Sequence, residues 1–256
     1  MKKILISSIL TLFCIVLPAQ TREFCDRIFT GSLGQVLPYK ISFPDDFDPT
    51  RSYPMFLFLH GAGERGADNE SQVVHGKDVL LNDSHLRHAI VIAPQCPRED
   101  YWVNIVHPAG PDGNASRVFP EYAPISSSLA AVKELMDAYI ALGFIDTDRI
   151  FGSGLSMGGF GILDLAARYP DFFKGVEPIC GGINVKRMEK YRGRTAFRFF
   201  HGLKDDIVPP RFSQEACAAL AANGINASII EYPDNNHNSW DSAFSEPDYI
   251  SWFFEL

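Results

Sequence analysis

Gly154-Leu155-Ser156-Met157-Gly158 sets a serine between two glycines. A serine hydroxyl is a poor nucleophile until a base takes its proton, and this spacing is the one that presents it on a sharp turn between a strand and a helix. The surroundings suit that turn. Residues 149–153 (Arg-Ile-Phe-Gly-Ser) read as a short strand, and residues 157–168 are helix-compatible. The glycines, with Gly159 beside them, leave room where a side chain would strike the neighbouring strand and helix. The helix start aims its free N–H groups and positive dipole end at the point where an oxyanion would form. Such a serine also needs a base, and the base needs a carboxylate to hold its tautomer. Of the seven histidines, His237 stands out by position, because it follows the last predicted strand, 227–232. The acid is offered by His201-Gly202-Leu203-Lys204-Asp205-Asp206, at the end of a predicted strand over 195–200. Adjacent side chains in an extended segment point to opposite sides, so only one of Asp205 and Asp206 can meet the His237 ring.

Other residues carry weaker signals. His60-Gly61-Ala62-Gly63-Glu64-Arg65-Gly66 contains the G-x-G-x-x-G spacing of dinucleotide sites. No apolar helix opens after Gly66, so the Rossmann reading lacks its context. As part of a hydrolase, the loop is where backbone N–H groups would complete an oxyanion hole. Glu64 and Arg65 are expected to form an exposed ion pair of little value. His85 and His88 have metal-ligand spacing but no acid or cysteine to complete a set, so a solvated helix end is expected. Gln95, Trp102 and Trp240 are candidates for the lining of the substrate pocket, with core packing as the competing reading.

Those residues need a scaffold. Strands are expected at 24–30, 35–43, 55–59, 89–93, 149–153, 176–179, 195–200 and 227–232. Helices are expected at 124–142, 157–168, 214–222 and 246–256, and a long loop at 97–123. Residues 55–59 (Met-Phe-Leu-Phe-Leu) are apolar on both faces, as in a central strand covered on both sides. Strands alternating with helices predict a mostly parallel sheet with helices on both faces. In such sheets chemistry sits at the carboxyl ends of the strands, where Ser156, Asp205, His237 and the loop from His60 to Gly66 fall.

Composition agrees with an ordinary globular chain. There are 256 residues, 46% hydrophobic, with 23 Lys+Arg against 31 Asp+Glu. A net charge of −8 argues against a nucleic-acid binder, which needs a cationic excess. Lys2-Lys3 followed by an uncharged apolar run from Ile4 to Leu17 reads as an export signal, short of the roughly 20 residues of a bilayer span. Cleavage after Ala19 would leave residues 20–256 as one domain without a membrane span, periplasmic or extracellular. An N-terminal anchor is the alternative. Cys25, Cys96, Cys180 and Cys217 would remain, and four cysteines allow three pairings.

Taken in order, Leu59-His60-Gly61-Ala62-Gly63-Glu64-Arg65-Gly66, Ala93-Pro94-Gln95-Cys96-Pro97, the Ser156 pentad with Gly159, Pro178-Ile179-Cys180-Gly181-Gly182 and His237-Asn238-Ser239-Trp240 resemble the α/β-hydrolase group of secreted esterases labelled predicted peptidase or phospholipase/carboxylesterase. That group is related to feruloyl and acetyl-xylan esterases and to polyhydroxybutyrate depolymerases. The resemblance covers roughly residues 25–256. It implies an α/β-hydrolase fold with Ser156 as nucleophile, Asp205 as acid and His237 as base. It also implies an oxyanion hole from the N–H groups of Ala62 and Met157, and ester hydrolysis without cofactor or metal. The expected partner is a small-molecule or polymer-pendant ester, such as an acyl ester of carbohydrate. A serine peptidase of the same fold and a catalytically silent binding protein are the alternatives.

Overall fold

The computed structural model describes residues 22–106 and 118–256. The expected export segment and part of the expected long loop lie outside the described residues. Eight strands form one sheet: β1 (Cys25–Thr30), β2 (Val36–Ser42), β3 (Tyr53–Leu59), β4 (Ile90–Pro94), β5 (Ile145–Leu155), β6 (Gly175–Ile179), β7 (Ala196–Gly202) and β8 (Ala227–Tyr232). Their order is β1-β2-β4-β3-β5-β6-β7-β8. β2 runs antiparallel to both of its neighbours, and the pairs from β4 to β8 are parallel. The helices are α1 (Lys77–Asn82), α2 (Ser127–Ile140), α3 (Met157–Arg168), α4 (Val185–Glu189), α5 (Arg211–Ala222), α6 (Trp240–Phe244) and α7 (Ser251–Phe254).

The apolar run of β3 divides by strand periodicity. Met55, Leu57 and Leu59 join one core with Leu135 of α2 and Leu163 of α3. Phe56 and Phe58 join a second core, on the opposite face, with Leu80 of α1 and Phe253 of α7. Full burial of each such side chain stabilises by about 1.5–3 kcal/mol. Two layers therefore clamp the sheet and fix where its strand ends lie.

Two elements differ from expectation. β5 extends beyond residues 149–153 to Ile145–Leu155. Its first residues are largely exposed and polar, so they carry no apolar signal, although Tyr53 pairs with Ile145 across the ladder. Of the expected helix over 246–256 only Ser251–Phe254 (α7) is helical, and a turn precedes it. Arg198 Nη2 donates to the carbonyls of Asp248 and Tyr249 at 2.9 and 3.1 Å in that turn.

Candidate active site

Ser156 sits between β5 and α3 with φ 52° and ψ −114°. A non-glycine residue holds such a conformation only where the surroundings enforce it, at a cost of about 1–3 kcal/mol. Here Ser156 N donates to Ile179 O at 2.8 Å and Phe160 N donates to Ser156 O at 3.1 Å. A Cβ on Gly154 would lie 2.6 Å from the Gly158 backbone, and one on Gly158 would overlap the Leu59 carbonyl. The turn can therefore close only with glycine at both places.

Ser156 Oγ lies 2.9 Å from His237 Nε2, and His237 Nδ1 lies 2.8 Å from Asp205 Oδ2. Asp205 follows β7 and is buried, whereas Asp206 is exposed. Asp205 Oδ1 accepts from the turn's own N–H groups, Ile207 N at 2.9 Å and Val208 N at 2.8 Å. A carboxylate tied on one oxygen leaves the other fixed toward the ring. Burial pushes the Asp205 pKa up, but the hydrogen bonds from His201, His237 and Val208 outweigh it and hold the carboxyl well below the usual carboxylate range.

His201, which sequence reasoning used only as a landmark, packs behind Asp205. Its Nε2 lies 3.2 Å from Asp205 Oδ2 and 2.8 Å from Val208 O, both acceptors, so that nitrogen carries a proton. The four-residue spacing to Asp205 was its only signal.

The loop after β3 is pinned from several sides. Cys96 N donates to His60 Nε2 at 2.9 Å, so the proton of the neutral ring is on Nδ1, which donates to Gly61 O at 2.6 Å. Burial lowers the His60 pKa to about 4, so the neutral ring persists at neutral pH. Because a trans peptide sets C=O and N–H on opposite sides, fixing Gly61 O fixes the direction of Ala62 N–H. Arg65 Nε donates to Ala62 O at 2.9 Å. The expected Glu64–Arg65 pair is absent among the described contacts. Arg65 lies over Tyr101, and Glu64 Oε1 lies 3.7 Å from His75 Nε2. Ala62 and Met157 each begin a helical turn, and neither N–H has a carbonyl partner among the described residues. First-turn N–H groups are free in this way by geometry.

Of the three expected pocket residues, two lie elsewhere. Gln95 has no exposed surface, and its amide is spent: Nε2 donates to Glu64 O at 3.0 Å and Asp68 Oδ1 at 2.9 Å, while Oε1 accepts from Asn69 N at 2.8 Å. Trp102 is equally buried, donating from Nε1 to His60 O at 3.1 Å. Both brace the loop that carries Ala62 rather than face a substrate. Trp240 does stand at the site, with its ring edge-on to His237 at 5.8 Å between centroids.

Cys180, Asp205 and His237 bring potential metal-ligand atoms within 4.8 Å of one another. Burial pushes the Cys180 thiol far up, leaving it a neutral neighbour behind the carboxylate. His85 instead stacks on Phe254, with centroids 5.2 Å apart. No disulfide joins Cys25, Cys96, Cys180 and Cys217.

A sheet of this order, with a serine on a strand–turn–helix elbow and an acid and a histidine on later strand ends, defines an α/β-hydrolase. Residues 49–247 match the phospholipase/carboxylesterase family, and the chain belongs to it. It is 27% identical over 198 residues to lysophospholipase-like protein 1 of Mus musculus, covering 71% of this chain and 78% of that protein. It is 24% identical over 207 residues to probable feruloyl esterase C of Aspergillus niger, covering 79% and 67%. Among solved structures, a thermostable esterase superposes with a TM-score of 0.75 at 29% identity. That match covers 91% of this chain but only 62% of the esterase's. A ferulic acid esterase from Anaeromyces mucronatus shares the fold, with a TM-score of 0.62 at 15% identity over 88% of each chain. The chain is a hydrolase of the carboxylesterase type.

Proposed function

We propose that the protein is an exported serine hydrolase of carboxylic esters, with Ser156 as nucleophile, His237 as base and Asp205 as the carboxylate that orients the base. The observation that carries this reading is the unbroken relay of 2.9 and 2.8 Å from Ser156 Oγ through the His237 ring to Asp205.

Ser156 Oγ attacks the ester carbonyl carbon as its proton passes to His237 Nε2. The developing oxyanion is held by the N–H groups of Ala62 and Met157. Collapse of the tetrahedral species expels the alcohol, which takes the proton back from Nε2 and leaves an acyl-serine. Water, deprotonated by the same nitrogen, then releases the acid. Asp205 stays ionised throughout and stabilises the imidazolium, which its depressed pKa favours. No step requires a cofactor.

The likeness to probable feruloyl esterase C supports an acyl ester of carbohydrate as substrate. The Lys2-Lys3 start and the apolar run behind it support export, with residues 20–256 as the mature domain. A fluorophosphonate should label the wild type and not Ser156→Ala. A panel of p-nitrophenyl, feruloyl, acetyl-sugar and peptide substrates should show ester turnover above peptide turnover. Peptide cleavage alone would make the protein a peptidase, and an unlabelled wild type would make it a binding protein.

A further inference from the structure

Asp205 is met by a second imidazole. His201 is the next-to-last residue of β7, Ala-Phe-Arg-Phe-Phe-His-Gly, and has no exposed surface. Burying two ring nitrogens costs free energy unless both find partners, and an apolar side chain in that place would avoid the cost. Both nitrogens have partners. Nδ1 lies 2.7 Å from Ser213 Oγ on α5, which is itself fully buried and 3.3 Å from Gly181 O. Nε2 lies 2.8 Å from Val208 O and 3.2 Å from Asp205 Oδ2. Carbonyl and carboxylate oxygens only accept, so Nε2 carries a proton whichever charge the ring has.

The oxygen that this proton reaches decides its effect. Asp205 Oδ1 is taken by Ile207 N and Val208 N, whereas Oδ2 meets His237 Nδ1 at 2.8 Å. His201 therefore shares the oxygen that serves the base. A donor on a carboxylate oxygen spreads its charge and favours the ionised form. Burial raises the Asp205 pKa, and the bond from His201 leads those that bring it below the usual carboxylate range. The other titratable groups around the ring are engaged elsewhere. Glu231, opposite His201 on β8, accepts from Gln214 Nε2 at 2.6 Å, and Arg211 and Glu215 of α5 are exposed. Cys180, just after β6, is a thiol that burial keeps neutral.

We propose that His201 is a positioning residue of the triad: its Nε2–H fixes Asp205 Oδ2 on the His237 ring and moderates the negative charge that the ring feels. Ser213 in turn holds the His201 ring, as Asp205 holds that of His237. The proposal rests on the reading of Asp205 and His237 as acid and base.

His201→Phe fills the same space without the donor, and His201→Gln keeps a side-chain N–H near the Nε2 position. Each is compared with wild type in the pH dependence of kcat on p-nitrophenyl acetate, and in the NMR titration of the His237 ring without substrate. A carboxylate relieved of one donor holds a proton on His237 more strongly. The acidic limb of kcat and the ring titration should therefore both move up by about one pH unit in His201→Phe. Plateau kcat should fall about tenfold with KM unchanged, because the base is less well oriented. His201→Gln should restore most of both. Lower thermal stability with an unmoved limb and titration would make His201 a structural residue only and overturn the proposal. So would a shift as large in His201→Gln as in His201→Phe. Should His201→Phe not fold, Ser213→Ala frees the ring while keeping the donor and should give a smaller shift in the same direction. No shift in that variant overturns the proposal as well. The NMR arm needs no turnover. A wild type that fluorophosphonate fails to label counts against the hydrolase reading, and the ring titration then decides the role of His201 alone.

Discussion

The two flanks of Ser156 are built differently. On one side, residues 60–69 are braced by buried side chains: His60 holds Gly61 O, Gln95 holds Glu64 O and Asn69 N, and Trp102 holds His60 O. On the other, His75 and Trp240 meet ring to ring at 5.2 Å between centroids, and α1 and α6 line an open groove. In the proposed mechanism the first flank faces the developing charge, which is the same for every ester. Its donors act best when no reorganisation is needed. The second is open to solvent, and its Lys77 and Asp241 side chains have no side-chain partner among the described residues. Buried hydrogen bonds are concentrated on the loop that carries Ala62, and solvent-exposed polar groups on the α1–α6 side.

The common element between the flanks sets the scale. Ser156→Ala should lower ester turnover by at least about 10⁴-fold on every substrate, because the covalent route is lost. Ordinary kcat in that variant would remove Ser156 as the pivot and the comparison with it. Asp205→Asn should cost on the order of 10⁴ in kcat, and Asp206→Asn far less, since only Asp205 reaches the imidazole. A larger loss at Asp206 in the same assay would overturn the assignment of the acid.

The braced flank is sharpened by Gln95→Leu. Unseating Glu64 O and Asn69 N should loosen the loop, lowering kcat about tenfold or more on small and large esters alike. Stability should fall by about 1–3 kcal/mol, from buried groups left unpaired. A loss confined to one ester, seen in paired kcat/KM measurements, would mean that the loop does not act through the developing charge.

His60 gives the same flank a pH signature. Its pKa is about 6.5 in an unfolded chain and about 4 here, so between those values the unfolded state binds the extra proton. Stability from this group is therefore complete above pH 6.5 and declines as pH falls toward 4, by up to about 3 kcal/mol. Thermal melts of wild type from pH 7 to pH 4 should show that decline, and His60→Asn should flatten it. An equal slope in both proteins would place the acid lability elsewhere. The smallest effects are expected far from both flanks. His85→Ala and His88→Ala should leave kcat within about twofold, as surface substitutions usually do, and EDTA should not change it. A chelator-sensitive rate would reopen the metal reading of that pair.

By itself the sequence determined the sheet, the elbow and the order of serine, acid and histidine. Periodicity and glycine spacing are local properties, and residues 55–59, 154–158 and 227–232 carry them without help from distant chain. It also narrowed the acid to one of two neighbours. Only the tertiary structure decided what Gln95 and Trp102 do, because an amide or an indole reads the same whether it meets substrate or a backbone carbonyl far away in the chain. Tertiary packing also brought His201 to the back of Asp205 and placed α1 against α6, residues widely separated in the chain. Strand and helix signals fix what each segment is. Which polar groups are spent and which are free depends on partners that sequence spacing does not encode, and at this site that difference separates the braced loop from the open groove.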